Sequence, residues 1–340
     1  MECDITSTRT KASAPARGSR LSGALCRAWV PAVAVLMAAT SLAGCRQRAA
    51  AAPQRTLRYL TWTSSGSFSF DLVARVSAAL PDVQVVTEQT SGSLVVLSSV
   101  QQGKGDFGFS LADVAYLAYR RGIDPDPFPH TNVRAIGTRW INALYAAVPR
   151  HSDIKTMADF KGKRIGIVPR GSAGELLTRL MLEAHGLQYA DVKPTFIEVD
   201  RLTTELRQGR IDVAILTGTP LSNLHADITE AGLQIVPIQR EVVSKIRGQY
   251  PFVKVVPLNA ELSPGADLIT VGVDSILVCR ADLEEPIAYE LTKAFYGLLS
   301  NLAREQPSVA INPGNASATP IPLHPGAARF YREQEISNES

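Results

Sequence analysis

Cysteine is scarce in this 340-residue chain, and Cys3, Cys26 and Cys45 all fall in the first 45 positions, which leaves only Cys279 downstream. With one cysteine in the body, no intramolecular disulfide can staple it, and a hydrophobic core has to hold the fold. Excess charge is also lacking. Five of the 35 basic residues and two of the 32 acidic ones lie in the first 45 positions, so residues 46–340 carry 30 of each. That neutrality, without a basic stripe interleaved with aromatics, excludes the positive footprint on which nucleic-acid binding leans. Past residue 45 no apolar run approaches the roughly 20 residues of a spanning helix. His130, His151, His185, His225 and His324 are scattered without metal-ligand spacing. Gly162-Lys163 lacks the preceding glycine and following hydroxyl of a P-loop, no G-x-G-x-x-G follows a strand, and nothing resembles a nucleophile elbow. No cofactor, metal or catalytic constellation is expected.

What is present begins with a leader. Arg9, Lys11, Arg17, Arg20 and Arg27 precede a mostly apolar stretch, 28–43, that runs into Leu42-Ala43-Gly44-Cys45. This is the pattern of a bacterial lipoprotein signal. Small residues before a cysteine admit a peptidase, and the freed cysteine can carry acyl chains that tether the chain to a membrane. An ordinary secretory signal with an incidental Cys45 is the alternative. The expectation is removal of 1–44, lipid on Cys45 and a tether at 46–55.

Residues 57–62 read as a strand, 63–67 as a polar break and 70–80 as a helix before Pro81. The unit repeats with a strand at 83–86, a hydroxyl-rich turn at 90–93 and a helix at 94–102. A short strand at 106–109 and a helix at 112–121 follow. Two strands are expected at 133–138 and 144–148. The pattern then restarts: strand 164–168, loop 169–174, helix 175–185, strand 196–199, helix 202–208 and strand 211–216. A strand at 276–279 and an amphipathic helix at 283–305 close it, the helix read as a return to the first lobe. Alternating strands and helices mean a parallel-rich α/β sheet covered on both faces.

Three strands end in a Gly/Ser/Thr-rich loop that opens a helix, at 63–67, 90–93 and 170–174. Small residues allow close backbone approach, hydroxyls donate hydrogen bonds, and free helix N–H groups favour a carboxylate or phosphate. Such loops lie at the carboxyl ends of strands, where open α/β sheets bind ligands. A Ser or Thr there is equally an N-cap; three such loops in two lobes favour binding. Tyr116 and Tyr119 share a helix face, as lobe packing or as a cleft wall, and Trp62 and Phe68 could close over an apolar stem. Arg139-Trp140 offers a cation near the hinge, either buried to pair with a carboxylate or a surface charge. Cys279 reads as a small core residue.

Gly105-Asp106-Phe107-Gly108-Phe109 with Asp113-Val114-Ala115-Tyr116, the run from Ser152 to Lys163, Gly209-Arg210-Ile211-Asp212, Tyr250-Pro251-Phe252 and the tail from Pro322 to Tyr331 occur in an order that resembles the TAXI-type solute receptors of tripartite ATP-independent periplasmic (TRAP) transporters. The resemblance covers most of 57–334. It implies a periplasmic-binding-protein-like fold of two α/β lobes, 56–146 plus 277–335 and 147–276, with a hinge and an interlobe cleft. It further implies a lipid-anchored periplasmic monomer that binds a small carboxylate, an amino acid or a dicarboxylate such as glutamate or 2-oxoglutarate, and docks on a TRAP-type membrane permease. Family contacts fall on Ser64, Ser65, Gly66, Ser91, Gly92, Ser93, Asp113, Arg170, Gly171, Ser172 and Ala173, with Thr217, Gly218 and Thr219 from the far lobe. The chain departs from the family where Ser65-Gly66-Ser67-Phe68-Ser69-Phe70 replaces a glycine-rich run ending in paired tyrosines, and where Arg170 adds a charge. These departures also fit a receptor of the same fold that feeds a membrane signalling partner.

Overall fold

Alternating apolar patterns become a ten-stranded mixed sheet in the computed structural model, which describes residues 55–62, 67–124, 126–170, 172–218, 224–258, 268–306 and 312–339. The leader with Cys45, residues 46–54, and Ser64, Ser65, Gly66, Gly171 and Thr219 lie outside the described residues. The chain runs β1 (Arg55–Thr61), α1 (Ser67–Ala79), β2 (Val83–Gln89), α2 (Ser93–Gln101), β3 (Phe107–Leu111) and α3 (Ala112–Arg121). After β4 (Val133–Pro149) the order returns as β5 (Arg164–Ile167), α4 (Ala173–Ala184), β6 (Lys193–Phe196), α5 (Val199–Arg207) and β7 (Val213–Gly218). Then follow α6 (Leu224–Glu230), β8 (Leu233–Val236), α7 (Arg240–Gln249), β9 (Val253–Pro257), β10 (Ile269–Arg280), α8 (Glu285–Glu305) and α9 (Pro325–Glu339). The strand order is β2-β1-β3-β10-β4-β7-β5-β6, with β8 on β4 and β9 on β10.

Strands β1, β2 and β3 are mutually parallel, as are β5, β6 and β7. Between the two sets, β4 and β10 pair antiparallel and each serves both halves: β10 meets β3 through Ser275–Cys279, and β4 meets β7 through Ala143–Ala147. The two strands expected at 133–138 and 144–148 are therefore one 17-residue strand. Polar Arg139 and Asn142 hid its continuity, although the ladder to β10 holds on both sides of them. Likewise β10 begins at Ile269, not at 276, because the polar pair Asp274-Ser275 interrupts its apolar run. The strand expected at 196–199 lies at Lys193–Phe196, and Val199 already opens a helix.

Hydrophobic side chains gather in two clusters. One joins α2, α3, α4 and α5 with residues from both halves of the sheet. The other packs α1, α8 and α9 around Tyr59, Phe107, Phe109 and Phe295. Cys279 is fully buried there, and burial pushes its thiol up, away from the reactive thiolate. The histidine-proline-glycine tail also works in this packing. His324 Nδ1 accepts the Gly326 N–H at 3.2 Å. A Cβ on Gly326 would stand 2.4 Å from the Glu285 carbonyl oxygen, so only glycine lets α9 approach α8. Phe330 and Tyr331 then pack on Tyr296.

The two halves repeat in sequence as well as in order. Gln102-Gly103-Lys104, Asp106 and Arg58 return 106 positions later as Gln208-Gly209-Arg210, Asp212 and Arg164. In each copy the aspartate that precedes the third strand clamps the first strand. Asp106 accepts the Arg58 N–H at 2.7 Å, and Asp212 accepts the Arg164 N–H at 2.8 Å. The return bonds run from Asp106 N–H to Arg58 C=O at 2.9 Å and from Asp212 N–H to Arg164 C=O at 2.8 Å. Gly103 and Gly209 turn the chain into both clamps at φ +69° and +67°, a backbone that favours glycine. Asp106→Ala and Asp212→Ala are each expected to cost about 1–3 kcal/mol. The costs should add in the double variant, because the clamps sit in separate halves. Urea denaturation of the three variants measures this, and a double variant no worse than either single one would mean that the two clamps act on one unit.

Candidate functional site

The pairing registers fix where the strand ends point. Because β3 runs antiparallel to β10, its last residue, Leu111, sits opposite Ser275; because β7 runs antiparallel to β4, its last residue, Gly218, sits opposite Ala143. Both partner residues border the middle of the β4–β10 ladder. The carboxyl ends of both parallel sets therefore face the same hinge region, the place where α/β sheets bind ligands.

From the first half, Ser91 and Gly92 lie between β2 and α2, and Ser93 opens α2. Gly92 holds the N-cap position at φ 146°, no side chain caps the helix there, and Ser93 is buried. The Thr90 hydroxyl beside them is buried without a hydrogen-bond partner among the described residues. Asp113 follows β3 directly, in the first turn of α3, and is fully buried. Its Oδ1 accepts the Val114 N–H at 2.8 Å, whereas Oδ2 has no partner among the described residues. Burial outweighs that hydrogen bond and raises the carboxyl to about 7.

From the second half, Ser172 caps α4, its Oγ accepting the Glu175 N–H at 3.2 Å, so its hydroxyl does helix work. A Cβ on Gly174 would meet the Val168 and Thr217 side chains at 2.8 and 3.1 Å, which puts Ser172, Ala173 and Thr217 around one strand end with Gly218 beside them. Arg170 is exposed, and its guanidinium stacks 4.3 Å above Phe196 at the end of edge strand β6. Helix α3, which carries Asp113, touches α4, which Ser172 caps. Tyr116 on α3 packs 5.3 Å from Phe252 before β9, a packing role that joins the halves.

Arg139 occupies the centre. In the ladder Ile141 faces Asp274 and Thr138 faces Ile276, so Arg139 and Trp140 together oppose the single residue Ser275. Two residues against one make a β-bulge, which bends a strand and re-aims its side chains. Arg139 Nε donates to Ser275 Oγ at 2.9 Å. The Arg139 Cζ lies 3.5 Å from the Phe109 ring centre, 3.9 Å from Trp140 and 5.3 Å from Phe68. Phe68 is thus part of this aromatic wall, 5.4 Å from Trp140. Sequence reasoning reached Arg139 but missed Ser275 and Phe109; the polar interruption at Asp274-Ser275 in an apolar run was the available signal.

The profile of the NMT1-like family matches residues 65–334. Over 101 residues the chain is 30% identical to an Escherichia coli (strain K12) protein named for binding aliphatic sulfonates. That stretch is 30% of this chain and 26% of the relative, so the match spans well under two thirds of that protein. Among solved structures, the periplasmic binding protein BugD aligns with 84% of this chain and 98% of its own at 12% identity and a TM-score of 0.52. A structure from Bordetella bronchiseptica RB50 aligns with 84% of this chain and 82% of its own at 16% identity and a TM-score of 0.52. At these identities the likeness is one of fold, and the fold is the two-lobe type of periplasmic binding proteins.

Asp113 gives this site a pH signature. An unfolded aspartate ionises near 4 and the folded one near 7. The native state therefore loses stability relative to the unfolded chain as pH rises from 4 to 7, with no further loss above 7. Asp113→Asn keeps the Oδ1 acceptor and removes the charge. Its stabilisation over the parent should grow from pH 4 to 7 to the order of a few kcal/mol and then level off. Denaturant titrations of the unliganded protein between pH 4 and 8 read this directly, and a difference that does not vary with pH would contradict it.

Proposed function

The chain belongs to the NMT1-like family, and on that premise we propose that it is an exported solute-binding protein that captures a small organic acid between its two lobes and hands it to a membrane permease. The observation that carries this reading is the convergence of both sets of strand ends on one hinge. Small residues, hydroxyls and helix N-termini lie there around buried oxygens that lack donors among the described residues. Such groups suit a compact polar solute and offer little to a protein or a nucleic-acid strand. Contacts from both lobes favour the closed state, so binding and closure are one equilibrium.

The ligand reading is a carboxylate such as glutamate or 2-oxoglutarate, by the motif resemblance. The relative named for sulfonates supports the wider class of organic anions. The partner reading follows the same coarser line: a transporter permease is proposed, and the TRAP type rests on the motif resemblance alone. Export and acylation at Cys45 belong to the proposal and rest on the leader pattern.

A thermal-shift screen of the purified protein against amino acids, dicarboxylates, keto acids, alkanesulfonates and neutral sugars tests it. A true ligand at a hundred times its Kd adds about 2.7 kcal/mol, which raises the melting temperature by several degrees. Ser91→Glu, at an exposed position without a capping bond, should abolish the shift from an acid and leave the unliganded melt in place. A cooperative melt that no small solute moves would overturn the reading.

A further inference from the structure

We propose that Arg139, held by Ser275 at the bulge between the crossover strands, is the specificity-determining residue that reads the charge of the bound solute, so that the ligand's acidic head lies at the hinge. This inference rests on the solute-binding reading and assigns the polarity of its ligand. Three observations support it.

The first is the absence of a counter-charge. Arg164, Arg210 and Arg280 each pair with a carboxylate, whereas among the described residues no carboxylate lies in ion-pair distance of Arg139. The nearby acid on β10, Asp274, is already engaged by Lys254 at 3.4 Å. The facing ionisable group on β1 is the Tyr59 phenol, whose hydroxyl is turned to Ser69 at 2.8 Å. The second is enclosure. Arg139 is half-buried against Phe109, Trp140 and Phe68. Aromatic faces return about 0.5–2 kcal/mol to a cation, less than the several kcal/mol that withdrawing an unpaired charge from water costs. Desolvation accordingly lowers the pKa of Arg139. The balance closes when an anion arrives. The third is aim. Ser275 takes Nε, which leaves the Nη edge of the fork for a carboxylate in bidentate geometry or for two oxygens of a sulfonate.

The position also ties recognition to movement. Arg139 is on one crossover strand and Ser275 on the other, at the register shift where the two lobes meet. An anion on the Nη edge is therefore anchored to both strands of the hinge.

The test compares the parent with Arg139→Met, Arg139→Lys and Ser275→Ala by calorimetric titration with L-glutamate, 2-oxoglutarate, ethanesulfonate and, as neutral probes without an acidic group, glycerol and glucose. The parent should bind at least one acid. Arg139→Met should weaken that acid at least about 100-fold, and Arg139→Lys should fall between, since ammonium keeps the charge and loses the fork. Ser275→Ala should weaken it less than Arg139→Met. The unliganded Arg139→Met protein should melt at the parent's temperature or above it, because an uncompensated charge has gone. A merely structural clamp predicts the reverse, a lower melt with affinity retained. Undiminished acid affinity in Arg139→Met, or a parent that binds only the neutral probes, overturns the role of Arg139 while the solute-binding reading stands. A parent that binds none of the five, and whose melt no solute of the wider thermal-shift screen moves, overturns both.

Discussion

The antiparallel ladder between β4 and β10 is the constraint on which the rest of the molecule depends. Once two long strands lie side by side in opposite directions, a parallel set added to β10 at one end and another added to β4 at the other end must both run toward the middle. Leu111 opposite Ser275 and Gly218 opposite Ala143 are the two consequences. A hinge and a convergence of strand ends are therefore one topological fact. The bulge at Arg139-Trp140 then loosens the ladder in its centre, where a bend disturbs the fewest paired residues on either side.

Charge is placed in the same spirit. Away from the hinge, several ions are matched. Arg210 and Arg201 hold Glu205 at about 2, and Arg164 lowers Asp212. Such half-exposed pairs contribute little individually. At the hinge side the pattern reverses, because Asp113 keeps a buried oxygen without a donor and Arg139 a guanidinium without a carboxylate among the described residues. Desolvation disfavours the ionised form of each, so both are places where the unliganded fold carries a cost. Costs of this kind persist where a bound group relieves them.

Where secondary structure follows local pattern, the sequence was a sufficient guide: helix α3 was expected at 112–121 and found there, and the β-helix-β alternation set the sheet. It failed where tertiary pairing overrides local pattern. Arg139 and Asn142 look like a break between strands, yet β10 supplies hydrogen bonds that carry β4 through. Strands β8 and β9 went unseen because each is short and is held by a long neighbour more than by its own composition. Among the described site residues, Ser91-Gly92 and Ser172 were legible as helix approaches, but their division of labour was not. Ser172 spends its Oγ on a cap, whereas no side chain caps α2, and that difference lives in side-chain geometry that no spacing encodes. The tail motif shows the converse: its residues are distinctive because α9 must approach α8 through Gly326, a packing demand rather than a ligand contact.

The internal repeat gives the cleft a direction. Two halves built on the same clamp, with Asp106 and Asp212 in matching places, start from equivalent rims and can be compared position by position. The Ser91-Gly92-Ser93 segment of the first half corresponds to Ile197-Glu198-Val199 in the second, followed by Asp200. Glu198, Val199 and Asp200 are exposed. The first rim thus offers hydroxyls and a small-residue helix start, and its counterpart offers two carboxylates around an apolar side chain. Glu198 and Asp200 repel an anion, since like charges at a surface act over about a Debye length of 8–10 Å, and the exposed Arg170 on Phe196 and Arg201 offset part of that repulsion. A helix N-terminus attracts it only through partial charges. The scaffold is symmetric and its electrostatics are not. For the organic acid proposed as ligand, this asymmetry would set the acidic head toward the first lobe and the hinge and leave the second lobe to the less charged end.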